Sequence, residues 1–115
     1  MACRNLRRFA KRFPLGRPHA YVWSGLLASL QDSPRTALRQ WDRAIAAAEA
    51  LRMPYERGRA HLEIGRHLDL ESSERRYHLH RAADVFEKLG AASNLARVRA
   101  ELQRSPPAPS STTTP

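Results

Sequence analysis

The side chains best suited to chemistry in this 115-residue chain are its five histidines and the carboxylate that stands near one of them. Glu63 and His67 are four residues apart, which places them on one helix face, and His78 and His80 follow soon after. A zinc site needs three or four converging ligands at recognisable spacing. The run HLEIGRH has neither the HExxH spacing nor a cysteine partner, and His78 and His80, two apart, point to different sides of a helix. The histidines are therefore read as surface or capping residues, with no metal and no cofactor. Cys3 is the single cysteine, so no internal disulfide forms, and no base or oxyanion device accompanies it. No glycine loop has a phosphate-cradling spacing, and no Ser/His/Asp order or carboxylate pair stands out. These absences point away from an enzyme.

Charge offers a second chemistry. Of the net +9, most sits at the start: residues 1–19 carry six basic and no acidic side chains, while the rest carry 14 basic and 11 acidic. Residues 4–13 suit a short helix, with Leu6, Phe9, Ala10 and Phe13 at helical spacing. Arg4, Arg7, Arg8, Lys11 and Arg12 lie on its other side, where they would grip nucleic-acid phosphates while Phe9 and Phe13 stack on bases. The competing reading is a solvated face whose apolar side packs on the next hairpin. No run of 18 apolar residues exists, so no membrane span is expected, and the lone cysteine fits a reducing, cytoplasmic setting.

The elements that position these groups are helices throughout. Pro14, Gly16 and Pro18 end the arm, residues 1–17, and start a helix over 18–31, with Val22, Leu26 and Leu30 in one apolar row and Trp23 and Leu27 in another. Ser33 and Pro34 start the next, to about Arg52, with a stripe of Ala37, Leu38, Trp41, Ala44, Ile45, Ala48 and Leu51. A further helix runs from Pro54 to about Leu70. Ser72 or Ser73 caps another, whose stripe is Leu79, Ala82, Val85, Phe86 and Leu89 and whose stop is Gly90. A last helix covers 93–104. Residues 105–115, SPPAPSSTTTP, carry no charge and no large apolar side chain, and read as a disordered tail.

Residues 12–35 and 52–75 are two versions of one pattern, because an offset of 40 brings eight of 24 positions into agreement. Gly25 and Gly65 match within it, and a glycine in mid-helix is best explained by a neighbouring helix that comes close. A repeat of about 40 residues made of two helices reads as a helical solenoid, with hairpins at 18–52 and 54–90.

The first hairpin resembles a tetratricopeptide repeat. Gly25 falls on that motif's invariant small residue, Ala28 on the next small position, and Ala37, Trp41 and Ala44 on its small–aromatic–small set. In the second hairpin Tyr77, Arg81 and Asp84 stand where Ala, Phe and Ala are usual. The runs AAAEALRMPYERGRAHLEIGRHL and HLHRAADVFEKLGA also resemble the C-terminal helical arrays of large bacterial signalling proteins, both AAA-type ATPase–nucleotide cyclase proteins and LuxR/MalT-like regulators. The resemblance implies a scaffold that binds a protein or peptide partner on a concave side. Family positions put His19, Val22, Leu26 and Ser29 there from the first repeat, and Arg59, Leu62, Arg66 and Asp69 from the second. Arg59 and Arg66 would meet carboxylates of an acidic partner through forked hydrogen bonds. The Lys/Asn set that clamps chaperone tails is absent at the matching positions.

Overall fold

Proline sets the helix starts. Pro18, Pro34 and Pro54 each stand in a first helical turn, where the missing N–H costs nothing. The computed structural model describes residues 16–104. Its helices are α1 (Arg17–Leu30), α2 (Pro34–Ala50), α3 (Pro54–His67), α4 (Ser73–Leu89) and α5 (Ala92–Arg104). The described residues contain no strand and are all-α, as expected. The helix expected over 4–13, with its basic side chains, and the tail 105–115 lie outside the described residues.

One backbone device ends three of these helices. After α1 the Ser33 N–H bonds the Ala28 carbonyl and the Asp32 N–H bonds the Ser29 carbonyl. After α2 the Met53 N–H bonds Ala48 and the Arg52 N–H bonds Glu49, and after α4 Ala91 bonds Phe86 and Gly90 bonds Glu87. Each is a Schellman closure, which needs a left-handed residue just past the helix. Those residues are Asp32 (φ 59°), Arg52 (φ 55°) and Gly90 (φ 69°). Only Gly90 is free of the Cβ penalty. The α1–α2 and α2–α3 turns therefore share a plan: a left-handed residue, one non-helical residue (ψ 73° at Ser33, 80° at Met53), then proline.

These turns fold the chain back on itself. Ala28 and Ala37 share one buried cluster, while Gly25 and, further back, Val22 face Trp41, so α1 and α2 are antiparallel. Gly65 faces Leu79 and Gly58 faces Val85 and Phe86, so α3 and α4 are antiparallel too. A Cβ on Gly25 would lie 2.6 Å from two atoms of the Trp41 indole, and one on Gly65 would lie 2.7 Å from Leu79 Cγ. Both glycines thus mark the close approach expected of them, and Gly58, a third such position, belongs with them. Between the hairpins, α3 packs on α2 and also touches α1 and α5, whereas α2 and α4 make no contact among the described residues. His19 meets Arg59, Tyr55 meets Asn94 and Arg66 meets Glu101, so α1, α3 and α5 run parallel, side by side. They form one layer and α2 and α4 the other.

Several local expectations shift. Helix α2 ends at Ala50 and α3 at His67, where Leu68 turns extended (ψ 160°). Ser33 starts α2 without a side-chain cap bond, whereas Ser72 caps α4 by accepting from the Glu74 and Arg75 N–H groups. Trp41, Ala44, Leu79, Ala82 and Phe86 are fully buried as their stripes predict. Trp23, Leu27, Leu30 and Leu89 are not: they are exposed, because no described helix covers that side of α1 or the end of α4.

Candidate interaction surface

The layer of α1, α3 and α5 has an inner side that rests on α2 and α4 and an outer side that is open. On α1 the open side carries His19, Trp23, Leu27 and Leu30, with Leu26 at its edge. These residues recur at three to four positions, so they form one stripe. Trp23 is 44 % and Leu30 86 % exposed. On α3 the same side carries Glu56, Arg59, Glu63 and Arg66, and on α5 Asn94, Arg97 and Glu101.

Of the eight expected groove residues three occupy this surface, two sit beside it and three do not. His19, Arg59 and Arg66 lie on it, and Leu26 and Ser29 are half-buried beside it. Val22 and Leu62 are buried, Val22 with Ala44 and Ala60, Leu62 with Leu79, Val85 and Phe86. They face the second layer because that side of each helix is turned toward its antiparallel partner, so they cannot line a groove. Asp69 lies in the α3–α4 loop, since α3 stops two residues earlier. The residues that replace them, Trp23 and Leu27, are visible in the sequence as an apolar row. Spacing alone sends that row to the core, because it does not say which of two apolar rows is covered.

Ion pairs already engage the arginines. Arg59 lies 3.5 Å from Glu56, and Arg66 lies 3.2 Å from Glu63 and 3.9 Å from Glu101. His19 accepts from the Trp23 indole N–H at 2.9 Å through Nε2. A neutral imidazole has one acceptor nitrogen, so the Arg59 guanidinium, 3.4 Å from Nδ1, touches the ring without a hydrogen bond to it. The free forked guanidiniums expected at Arg59 and Arg66 are therefore braced by neighbouring carboxylates. Even so, α1, α3 and α5 together hold seven arginines and three glutamates. The surplus of four positive charges equals that of all residues 16–104, with 15 basic and 11 acidic side chains.

The layer is pinned from behind by Arg75. Its guanidinium is fully buried, donating to the Gly65 carbonyl, the Glu101 carbonyl at 2.8 Å and the Glu101 carboxylate at 3.0 Å. Arg104 donates to the same carboxylate at 3.0 Å. Burial pushes the Glu101 carboxyl up, but the bond from Arg75 and the charge of Arg104 outweigh it and hold the group below its usual range.

The histidines are elsewhere engaged. His67 packs on Trp41, rings 4.8 Å apart, and bonds the Glu63 backbone. His61 and His78 pair across the α3–α4 hairpin. Among the described residues no three histidines, cysteines or carboxylates converge as metal ligands, and no helix is long and apolar enough to cross a membrane. Compared with known protein families, curated proteins and solved structures, the chain matches none.

Proposed function

We propose that the chain is a non-catalytic interaction module, built of tetratricopeptide-like hairpins, that binds a peptide segment of a protein partner across α1, α3 and α5. The observation that carries this reading is the exposed row Trp23, Leu27 and Leu30 beside the charged faces of α3 and α5. A monomeric fold ordinarily covers such a row, and an exposed indole is a common anchor for a peptide. The repeat supports it too. Gly25 and Gly65 both admit a partner helix, and His19 and Arg59, 40 residues apart, touch side by side. The likeness to arrays of bacterial signalling proteins makes a cytoplasmic regulatory assembly the setting, and the net positive charge of the three helices as a whole favours an acidic partner.

Selection from a displayed peptide library on the full chain tests this. Enriched peptides carry apolar anchors with acidic flanks, and a Trp23→Ser/Leu27→Ser variant loses them while its thermal melt stays unchanged, since both side chains are exposed. No enrichment, or enrichment that survives the double substitution, refutes the reading. The rival, nucleic-acid binding through Arg4, Arg7, Arg8, Lys11 and Arg12, predicts instead a retention that falls steeply with salt and vanishes when residues 1–13 are deleted.

A further inference from the structure

Between α3 and α5 the open face dips into a cleft of about 320 Å³ lined by Arg66, Arg97, Ala100 and Glu101. The charge around it does not balance. Arg66, Arg75, Arg97 and Arg104 stand about Glu63 and Glu101, four guanidiniums to two carboxylates. Glu101 is taken up by Arg75 and Arg104, each at 3.0 Å, and Glu63 by Arg66 at 3.2 Å. Arg97 has no carboxylate partner among the described residues and lines the cleft opposite Arg66. The arrangement is preorganised, because Arg75 is buried and ties the Glu101 backbone and side chain to the Gly65 carbonyl. Glu101 in turn holds Arg66 at 3.9 Å.

We infer that this cleft is an oxyanion site whose natural occupant is the phosphomonoester of a phosphorylated peptide, an assignment that rests on the peptide-binding reading above. A local surplus of two positive charges is matched by a group that carries nearly two negative ones at neutral pH and offers three acceptor oxygens. A carboxylate supplies one charge and two oxygens. Planar guanidinium forks bind phosphate oxygens in parallel pairs; Arg97 lines the cleft without a carboxylate partner among the described residues, and Arg66 lines it while held by Glu63 and Glu101.

Titration of the full chain with inorganic phosphate at pH 7.5 and constant ionic strength, followed through the arginine Nε–H resonances, tests the site directly. The Arg66 and Arg97 signals move together and saturate, those of the exposed Arg35 and Arg39 do not, and acetate in place of phosphate binds about tenfold more weakly. Arg97→Gln weakens phosphate about tenfold with an unchanged melt, since Arg97 is exposed and unpaired. A phosphoserine peptide carrying an apolar anchor binds at least as much more tightly than its unphosphorylated twin, and Arg97→Gln removes the difference. Uniform shifts at every arginine, or phosphate affinity untouched by Arg97→Gln, overturn the site. Phosphate binding without preference for the phosphopeptide overturns the occupant. Because the phosphate arm uses no peptide, its failure is distinguishable from failure of the peptide reading, which the Trp23/Leu27 variant reports.

Discussion

His61 and His78 face each other with their Nδ1 atoms 2.9 Å apart and their rings tilted by 34°. One nitrogen must donate and the other accept, so the pair holds a single proton between them and a second breaks the bond. Burial, then the charges of His78, Arg81 and Arg57, push His61 down to about 4, and burial lowers His78 against the pull of Asp42 and Glu74. The folded pKa lies below the unfolded value of 6.5, so the stability the neutral pair contributes is complete above pH 6.5 and lost as pH falls from there toward 4. The loss at its fullest is on the order of 3 kcal/mol. Urea melts at steps between pH 7.5 and 4 show it, and His61→Gln flattens that limb. Parallel curves for wild type and variant would sink the assignment.

The contact between Gly25 and Trp41 gives a prediction in which two effects oppose. Gly25→Ala gains roughly 1 kcal/mol of helix propensity. It also places a methyl against an indole that is fully buried and held by a bond from its N–H to the Val22 carbonyl at 3.2 Å. Overpacking of that kind costs about 1–3 kcal/mol, more when the neighbour cannot move. The net is a loss of about 2 kcal/mol, and Trp41→Ala alone costs about 3–5 kcal/mol. Combining Gly25→Ala with Trp41→Phe costs less than the two changes added, because the smaller ring makes room for the methyl. A higher melting temperature for Gly25→Ala would contradict the packing.

The turns at Asp32 and Arg52 hold strain that can be removed. Arg52 sits left-handed at φ 55°, where a side chain costs about 1–2 kcal/mol. Glycine there removes that cost but loosens the unfolded chain, so Arg52→Gly stabilises by about 0.5–1 kcal/mol. The reverse change at Gly90, also left-handed, destabilises by a similar amount, since a Cβ there meets open space and only backbone strain acts. Chevron or equilibrium urea data decide it; an Arg52→Gly variant no more stable than wild type shows the turn is not strained.

How far the sequence discloses the fold depends on the reach of each signal. Gly25 and Gly65 are legible as close approaches because a glycine in mid-helix costs stability unless a neighbouring side chain needs the space, and Trp41 is legible as core because it lies within a wide apolar stripe. The left-handed turns at Asp32 and Arg52 are not legible, since neither residue demands that conformation; the closure is imposed by Pro34 and Pro54 restarting the chain two residues later. Val22 and Leu62 fall on the open side by family position and on the inner side in the fold. One position, about 100° of helix rotation, separates the two placements, and spacing cannot detect that without the partner helix. Arg75 is the deepest miss. An arginine beside a serine cap reads as surface, and its burial is made tolerable by partners distant in sequence, the Gly65 carbonyl and Glu101, 26 residues on.

That ion pair makes the attachment of α5 separable from the rest of the fold. Arg75 joins α4 to the Gly65 carbonyl of α3 and to the carbonyl and carboxylate of Glu101 on α5, while α5 otherwise buries only Val98 completely. Arg75→Met removes the guanidinium, leaves the Gly65 and Glu101 carbonyls without that donor and the Glu101 carboxylate to Arg104 and Arg66, at about 1–3 kcal/mol. Hydrogen exchange should speed first in α5, before α1 and α2 respond, because the buried cluster around Trp41 contains no residue of α5. Glu101→Gln is milder, since the amide oxygen still accepts from Arg75, and it separates charge from hydrogen bonding. The Glu101 carboxyl is held below its unfolded value, so its stabilisation is present above about pH 4.5 and lost beneath it. That window lies below most of the His61 limb, so Glu101→Gln alters only the most acidic part of the stability curve. Exchange that rises evenly across all five helices in Arg75→Met would show that α5 is not an independently released unit.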